Sequence, residues 1–249
     1  MQERSLLVFD FDGVIVDGME EYWWAARQAA ATIRPELTSS LPGAVPAVFR
    51  ALRPWVHHGW EMVLLALAHD AVDVEAWMAD YVTQQRLAVQ RCGIAPEQCQ
   101  QALDGVRQGA LETARSEWLA LHQPFPGVVE RLRRFGDEGV DWAVLTTKGA
   151  SFTAELLDGL GLSPWRLYGR EDGAKPDVLL RLLQERPVHA FVEDRRATLE
   201  TVRATPGLES LRCLLVGWGY LKPEDLVDLP DGVRALTPEG LERPLAQWP

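Results

Sequence analysis

The chain reads as an α/β protein, a Rossmann-like parallel sheet with helices on both faces, interrupted by an inserted all-helical domain. Two observations predict this. Short, nearly continuous apolar runs alternate with amphipathic stretches at the beginning and through the second half of the chain, and strand-like runs vanish between about residues 18 and 123. Such alternation implies parallel strands joined by right-handed crossovers through covering helices.

The first strand is Ser5-Leu6-Leu7-Val8-Phe9, an apolar run that closes on Asp10-Phe11-Asp12-Gly13, as a buried parallel strand entering a loop does. Helical periodicity follows over residues 20–33, 44–69, 74–91 and 96–122. The punctuation at Asp17-Gly18 and at Gln123-Pro124-Phe125-Pro126-Gly127 marks where the chain crosses between domains. A core of residues 1–17 and 124–249 and a helical cap of 18–123 are therefore expected, with the two crossings as a hinge. A helix beginning near Gly127, with Val128, Val129, Leu132 and Phe135 on one face, leads into a second strand at residues 140–147. Two further strands, residues 188–192 and 211–216, each follow a helix, at 176–185 and 195–204. The tail after Tyr220 shows no periodicity and is expected to run over the sheet surface.

Composition narrows the function. Of 249 residues, 47% are hydrophobic and 24% charged, the profile of a globular protein. No apolar run approaches the ~18 residues a membrane span needs, and no cleavable leader is recognisable, so a cytoplasmic protein is expected. A net charge of −11 without a basic tract argues against nucleic acid and for a small-molecule partner. Cys92, Cys99 and Cys213 lack the paired spacing of a zinc site and read as reduced thiols. The chain has 22 arginines, no asparagine and three lysines, Lys148, Lys175 and Lys222, so each lysine marks a place where a compact point charge could be wanted.

Asp10 and Asp12 lie two apart at the carboxyl end of a central strand, which aims both side chains to one side. Two such carboxylates need a counter-charge or a raised pKa, and oxygen ligands select a hard ion such as Mg²⁺; a pair of acids capping the next loop is the plainer alternative. Other strand ends add chemistry to the same edge, where open α/β sheets bind ligands. Thr146 and Thr147 offer a hydroxyl and backbone N–H groups for phosphate oxygens, Lys175-Pro176 opens a helix with a cation, and Glu193-Asp194 closes a strand with two more acids.

The order Asp10-Phe11-Asp12-Gly13, Thr146, Lys175-Pro176, Glu193-Asp194 resembles the four motifs of the haloacid dehalogenase-like hydrolase superfamily, and the helical insertion resembles the cap of its phosphoglycolate-phosphatase-like and β-phosphoglucomutase-like branch. The resemblance implies an Mg²⁺-dependent phosphatase of a small phosphorylated metabolite, a monomer or homodimer. Asp10 would be the nucleophile that becomes an aspartyl-phosphate, and Asp12 the general acid and base. Thr146, Thr147 and Lys175 would bind the phosphoryl group. Asp10, the Asp12 carbonyl and Asp194 would hold the metal, with Glu193 standing in for a second acid that the family often carries where this chain has Thr198 and Leu199. Thr147 likewise occupies a place where related phosphatases often have asparagine. A phosphomutase, or a catalytically silent phosphate-binding protein of the same fold, is the alternative. Specificity is expected in the cap, where Arg53, His58, Trp60 and Glu61 form a polar stretch broken by Pro54 and Gly59. An adjacent His57-His58 metal pair is not expected.

Overall fold

The computed structural model describes residues 4–249. The described chain divides into two compact units, one joining the residues up to Asp17 with Gln123–Pro249, the other comprising Gly18–His122. Among the described residues the strands are β1 (Leu6–Phe9), β2 (Val16–Asp17), β3 (Gln123–Pro124), β4 (Asp141–Leu145), β5 (Arg166–Tyr168), β6 (Val188–Glu193), β7 (Cys213–Val216) and β8 (Val233–Leu236). Six of them make one sheet in the order β5-β4-β1-β6-β7-β8, with every neighbouring pair parallel. Strands β2 and β3 pair antiparallel, so the outgoing and returning chain run side by side.

β1 sits between β4 and β6 and is buried along its whole length, which is why its residues are apolar without alternation. Alternate residues serve two cores. Leu6 and Val8 join Ala143, Leu145, Phe191, Cys213 and Leu215 on one face. Phe9 points the other way, with ring centroids 5.8 Å from Phe135 and 6.4 Å from Trp142.

The helical unit contains α1 (Met19–Ile33), α2 (Ala47–Leu52), α3 (Gly59–Leu67), α4 (Val74–Ala79), α5 (Tyr81–Cys92), α6 (Pro96–Thr113) and α7 (Arg115–Ala120). α1, α3 and α6 pack on one another. Ala25, Ala26, Ala29 and Ala30 give α1 a small-residue buried face. The single helix expected over 74–91 is two, because the Asp80 carboxylate accepts the Thr83 N–H at 3.1 Å and starts α5 afresh, as Asp73 starts α4. The stretch expected over 96–122 likewise breaks at Ala114, whose backbone leaves the helical region (φ −150°, ψ 45°).

In the sheet unit α8 (Val128–Arg134), α9 (Ala150–Gly159), α10 (Lys175–Glu185), α11 (Arg196–Ala204) and α12 (Pro238–Glu242) complete the α/β layers. α10 and α11 cover one face through Val178, Leu179, Leu182, Leu199 and Val202. Two strands of the six-stranded sheet escaped the sequence reading. β5 has only three residues and opens on an exposed arginine. The tail does not merely overlie the sheet, since its β8 pairs with β7 and forms the edge, with Arg234 pointing to solvent between buried Val233 and Leu236. No helix among the described residues is long and apolar enough to cross a membrane.

Glu21 on α1 is fully buried within the helical unit and receives a two-pronged bond from Arg107 on α6, at 2.8 and 2.7 Å, with a third donor in Trp118 Nε1 at 3.1 Å. Truncating one partner of such a pair strands a buried charge. Arg107→Ala is therefore expected to destabilise the helical unit by about 3–5 kcal/mol in urea unfolding, well beyond the ~0–1 kcal/mol expected on removing Arg50, which pairs with Glu20 at the surface. The three cysteines are free thiols. Burial pushes Cys99 and Cys213 up to about 11, whereas Cys92 is half-buried. A thiol reagent at pH 8 is expected to modify Cys92 alone in the native protein and all three once it is unfolded.

Candidate active site

The carboxyl edge of the sheet gathers the charged residues. Phe9 pairs with Val192, and the Asp10 N–H continues that ladder to the Val192 carbonyl at 2.8 Å, so Asp10 leaves β1 beside Glu193 at the end of β6. Beyond Asp10 the chain curls back on itself. The Ile15 and Val16 N–H groups donate to the Phe11 carbonyl at 2.8 and 3.2 Å, and the Gly13 N–H donates to the Val16 carbonyl at 2.9 Å. This curl needs a left-handed residue, and Gly13 supplies it at φ +84°.

Asp10, Glu193 and Asp194 are all buried, and each offers a carboxylate oxygen within 4.8 Å of the others'. Lys175, first residue of α10, places Nζ 2.8 Å from Asp10 and 2.6 Å from Glu193. Burial pushes Asp10 above the ordinary carboxylate range; Lys175 opposes this, while Glu193 and Asp12 add to it. Burial works against the charge on Lys175, but Asp10 and Glu193 together outweigh it and raise its pKa. A second lysine, Lys148, lies 3.4 Å from Asp12 Oδ1. Counted as ionised, the four carboxylates outnumber the two ammonium groups by two at this edge, and the raised pKa of Asp10 reflects burial and that crowding. That imbalance, with an all-oxygen donor set, fits a hard divalent cation. Asp10, Glu193 and Asp194 are the buried side chains that could hold it; the Glu193 oxygens also anchor Lys175 and accept the Asp194 and Arg195 N–H groups at 3.2 and 3.1 Å.

Thr146 follows β4 at the same edge and is buried, its N–H bonded to the Tyr168 carbonyl at 3.0 Å and its Oγ1 accepting from the Lys148 N–H at 3.1 Å. Thr147 is half-buried in the loop leading to α9. The positions at which the family resemblance implies a second acid, Thr198 and Leu199, have other work. Leu199 belongs to the hydrophobic core under the sheet, where a carboxylate would have no water, and Thr198 lies in the first turn of α11.

The polar stretch of the helical unit is placed differently from expectation in one respect. Glu61, expected among the substrate contacts, is only 3% exposed and caps α3, accepting the His58 and His57 N–H groups at 2.9 and 3.3 Å and the Tyr81 hydroxyl at 2.8 Å. Its i+3 relation to the residue before Gly59 is a capping-box spacing, a signal present in the sequence. His58 is exposed, while Arg53 and Trp60 are half-buried, Arg53 lying 4.7 Å from the Tyr22 ring centre. The His57 and His58 rings meet edge to face at 4.3 Å.

The segment Trp218-Gly219-Tyr220 after β7 was not anticipated as part of the site. The Tyr220 N–H donates to Asp194 Oδ2 at 2.9 Å, its hydroxyl donates to Asp17 Oδ1 at 2.6 Å, and Trp218 Nε1 donates to the Val14 carbonyl at 3.1 Å. Gly219 lies so close that a Cβ there would stand 2.3 Å from Asp194 Cβ. This segment walls the acidic cluster and fixes the Asp194 carboxylate.

The family model of the haloacid dehalogenase-like hydrolases matches residues 5–197, which contain every charged residue of this edge. The chain belongs to that family. It is 25% identical to a phosphoglycolate phosphatase of Pseudomonas fluorescens, over 95% of this chain and 80% of that one. It is 27% identical to a phosphoglycolate phosphatase of Pseudomonas putida, over 94% and 78%. Among solved structures, a haloacid dehalogenase-like family hydrolase from Streptococcus pneumoniae superposes with a TM-score of 0.57 at 17% identity, covering 94% of this chain and 95% of that one. The likeness to that structure carries the fold; the relatives and the family model carry the assignment as a hydrolase.

Proposed function

We propose that this haloacid dehalogenase-like phosphatase hydrolyses a small phosphorylated metabolite through an aspartyl-phosphate on Asp10. The observation that carries the reading is the buried cluster of Asp10, Glu193 and Asp194 bridged by Lys175. An Asp10 oxygen attacks phosphorus and the bond to the leaving oxygen breaks, with Asp12 giving that oxygen a proton. Asp12 then takes a proton from water as it attacks phosphorus, releasing phosphate and restoring the Asp10 carboxylate. Thr146 and the Thr147 backbone hold phosphoryl oxygens, and Lys175 neutralises them while orienting Asp10. Mg²⁺, held by Asp10, Asp194 and the Asp12 carbonyl with Glu193 beside them, would offset the negative charge of carboxylates and phosphate. Selection of the leaving group is assigned to Arg53, His58 and Trp60 of the helical unit. The free thiols suit a reducing compartment, and we place the enzyme in the cytoplasm.

The test is phosphate release from a panel headed by phosphoglycolate, the substrate named for the relatives, with sugar phosphates, nucleotides and p-nitrophenyl phosphate, in Mg²⁺ and in EDTA. Release that needs Mg²⁺ is expected. An isomerised sugar phosphate without free phosphate would mean a mutase, and no turnover of any compound a silent binder.

A further inference from the structure

Lys148 is one of three lysines in a chain that otherwise uses arginine, and its side chain is 2% exposed. A buried ammonium persists only where an anion answers it. Its Nζ stands 3.4 Å from Asp12 Oδ1, on a carboxylate that is itself only 16% exposed. The backbone beneath it is pinned on both sides. The Lys148 N–H donates to Thr146 Oγ1 at 3.1 Å, and its carbonyl accepts the Arg170 N–H at 3.0 Å. Thr146 is in turn tied to β5 through Tyr168. The ammonium thus projects from a fixed point of the sheet edge, whereas Asp12 sits on the curled loop after β1.

We propose that Lys148 is the positioning residue for Asp12, a tether from the β4 loop that sets where the proton-transferring carboxylate stands relative to the leaving oxygen. This rests on the reading of Asp12 as the general acid. Lys148 acts through Asp12, while Lys175 acts on Asp10 and the phosphoryl group, so the two lysines divide the site between proton transfer and charge neutralisation. A point charge suits this role because one ammonium can follow one carboxylate oxygen, whereas a guanidinium would impose its own fork geometry.

The division makes removal of Lys148 selective by leaving group. An alkyl phosphate needs a proton on its leaving oxygen, and p-nitrophenyl phosphate, whose leaving group is a stable anion, does not. Values of kcat/KM, which report steps up to departure of the leaving group, are to be measured on both substrates for the native enzyme, Lys148→Met, Lys148→Gln, Asp12→Asn and Asp12→Asn/Lys148→Met. Each Lys148 variant is expected to lose at least about tenfold more on the alkyl than on the aryl substrate, within the ~10²–10⁴ that positioned proton transfer supplies. In the Asp12→Asn background, Lys148→Met is expected to add no further selective loss. An equal loss on both substrates, or a full additional loss without Asp12, would overturn the proposal while leaving the role of Asp12 standing. If Asp12→Asn itself shows no leaving-group selectivity, the reading of Asp12 falls and the tether falls with it. Thermal unfolding of each variant separates a misfolded chain from an inactive site, and two side chains at position 148 guard against either failing to fold.

Discussion

Asp10→Asn is expected to lower turnover by about 10³-fold or more while leaving the fold intact. The amide keeps the shape of the side chain but is a poor nucleophile toward phosphorus, so the loss falls on kcat and no excess substrate restores it. The same change should not destabilise the protein. In the native site Asp10 is pushed above the ordinary carboxylate range by burial, with Glu193 and Asp12 adding repulsion that Lys175 only partly opposes. Removing one of three crowded carboxylates leaves Lys175 paired to Glu193 at 2.6 Å. In EDTA the variant is therefore expected to melt at or above the native temperature, the opposite of what truncating a structural ion pair does. A clear loss of stability would mean that the cluster holds the fold together rather than serving chemistry.

The second large effect is expected at Gly13, which no chemical role requires. Its φ of +84° is a conformation L side chains rarely adopt, and a Cβ there would lie 1.9 Å from Asp194 Oδ2 and 2.9 Å from the Tyr220 ring. Gly13→Ala must displace the Asp194 carboxylate, the loop or both. Backbone strain and overpacking together come to roughly 2–5 kcal/mol. Displacing Asp194 should also raise the Mg²⁺ concentration needed for half-maximal rate. Gly139→Ala isolates the backbone contribution, because Gly139 shares a positive φ of +71° but faces open space. That variant should lose about 1–2 kcal/mol and no activity. Equal behaviour of the two variants in the Mg²⁺ titration would remove Gly13 from the site.

The strand ends were legible because a buried parallel strand must be apolar, so a carboxylate or threonine closing one stands out. Asp10, Thr146 and Glu193-Asp194 declare themselves in this way, and Lys175 through its rarity and the following proline. The short strands at the sheet margin were not legible. β5 and β8 expose charged residues, and three or four residues carry too little period to distinguish them from loop. Tyr220 was hidden for a different reason. It reaches Asp194 with its backbone N–H, and any residue has one; only the close approach of Gly219 betrays the contact, and that is a fact of three dimensions. Glu21 on a helix looks like a solvated acid until the fold turns it to Arg107, and Glu61, read as a substrate contact, turns instead to the start of α3. Lys148 was conspicuous as a rare lysine, but its partner Asp12 lies on the loop after β1, far earlier in the chain.

Whether phosphorus is ever bonded to Asp10 can be read directly. Asp12→Asn mixed with p-nitrophenyl phosphate in Mg²⁺, quenched in acid and digested, should release p-nitrophenol in a burst matching the enzyme concentration, because the leaving group needs no acid while hydrolysis of the intermediate lacks its base. The peptide carrying Asp10 should then bear a phosphoryl group that hydroxylamine removes, and EDTA should abolish it. A burst with that peptide unmodified, or with phosphate on another residue, would contradict the aspartyl-phosphate mechanism.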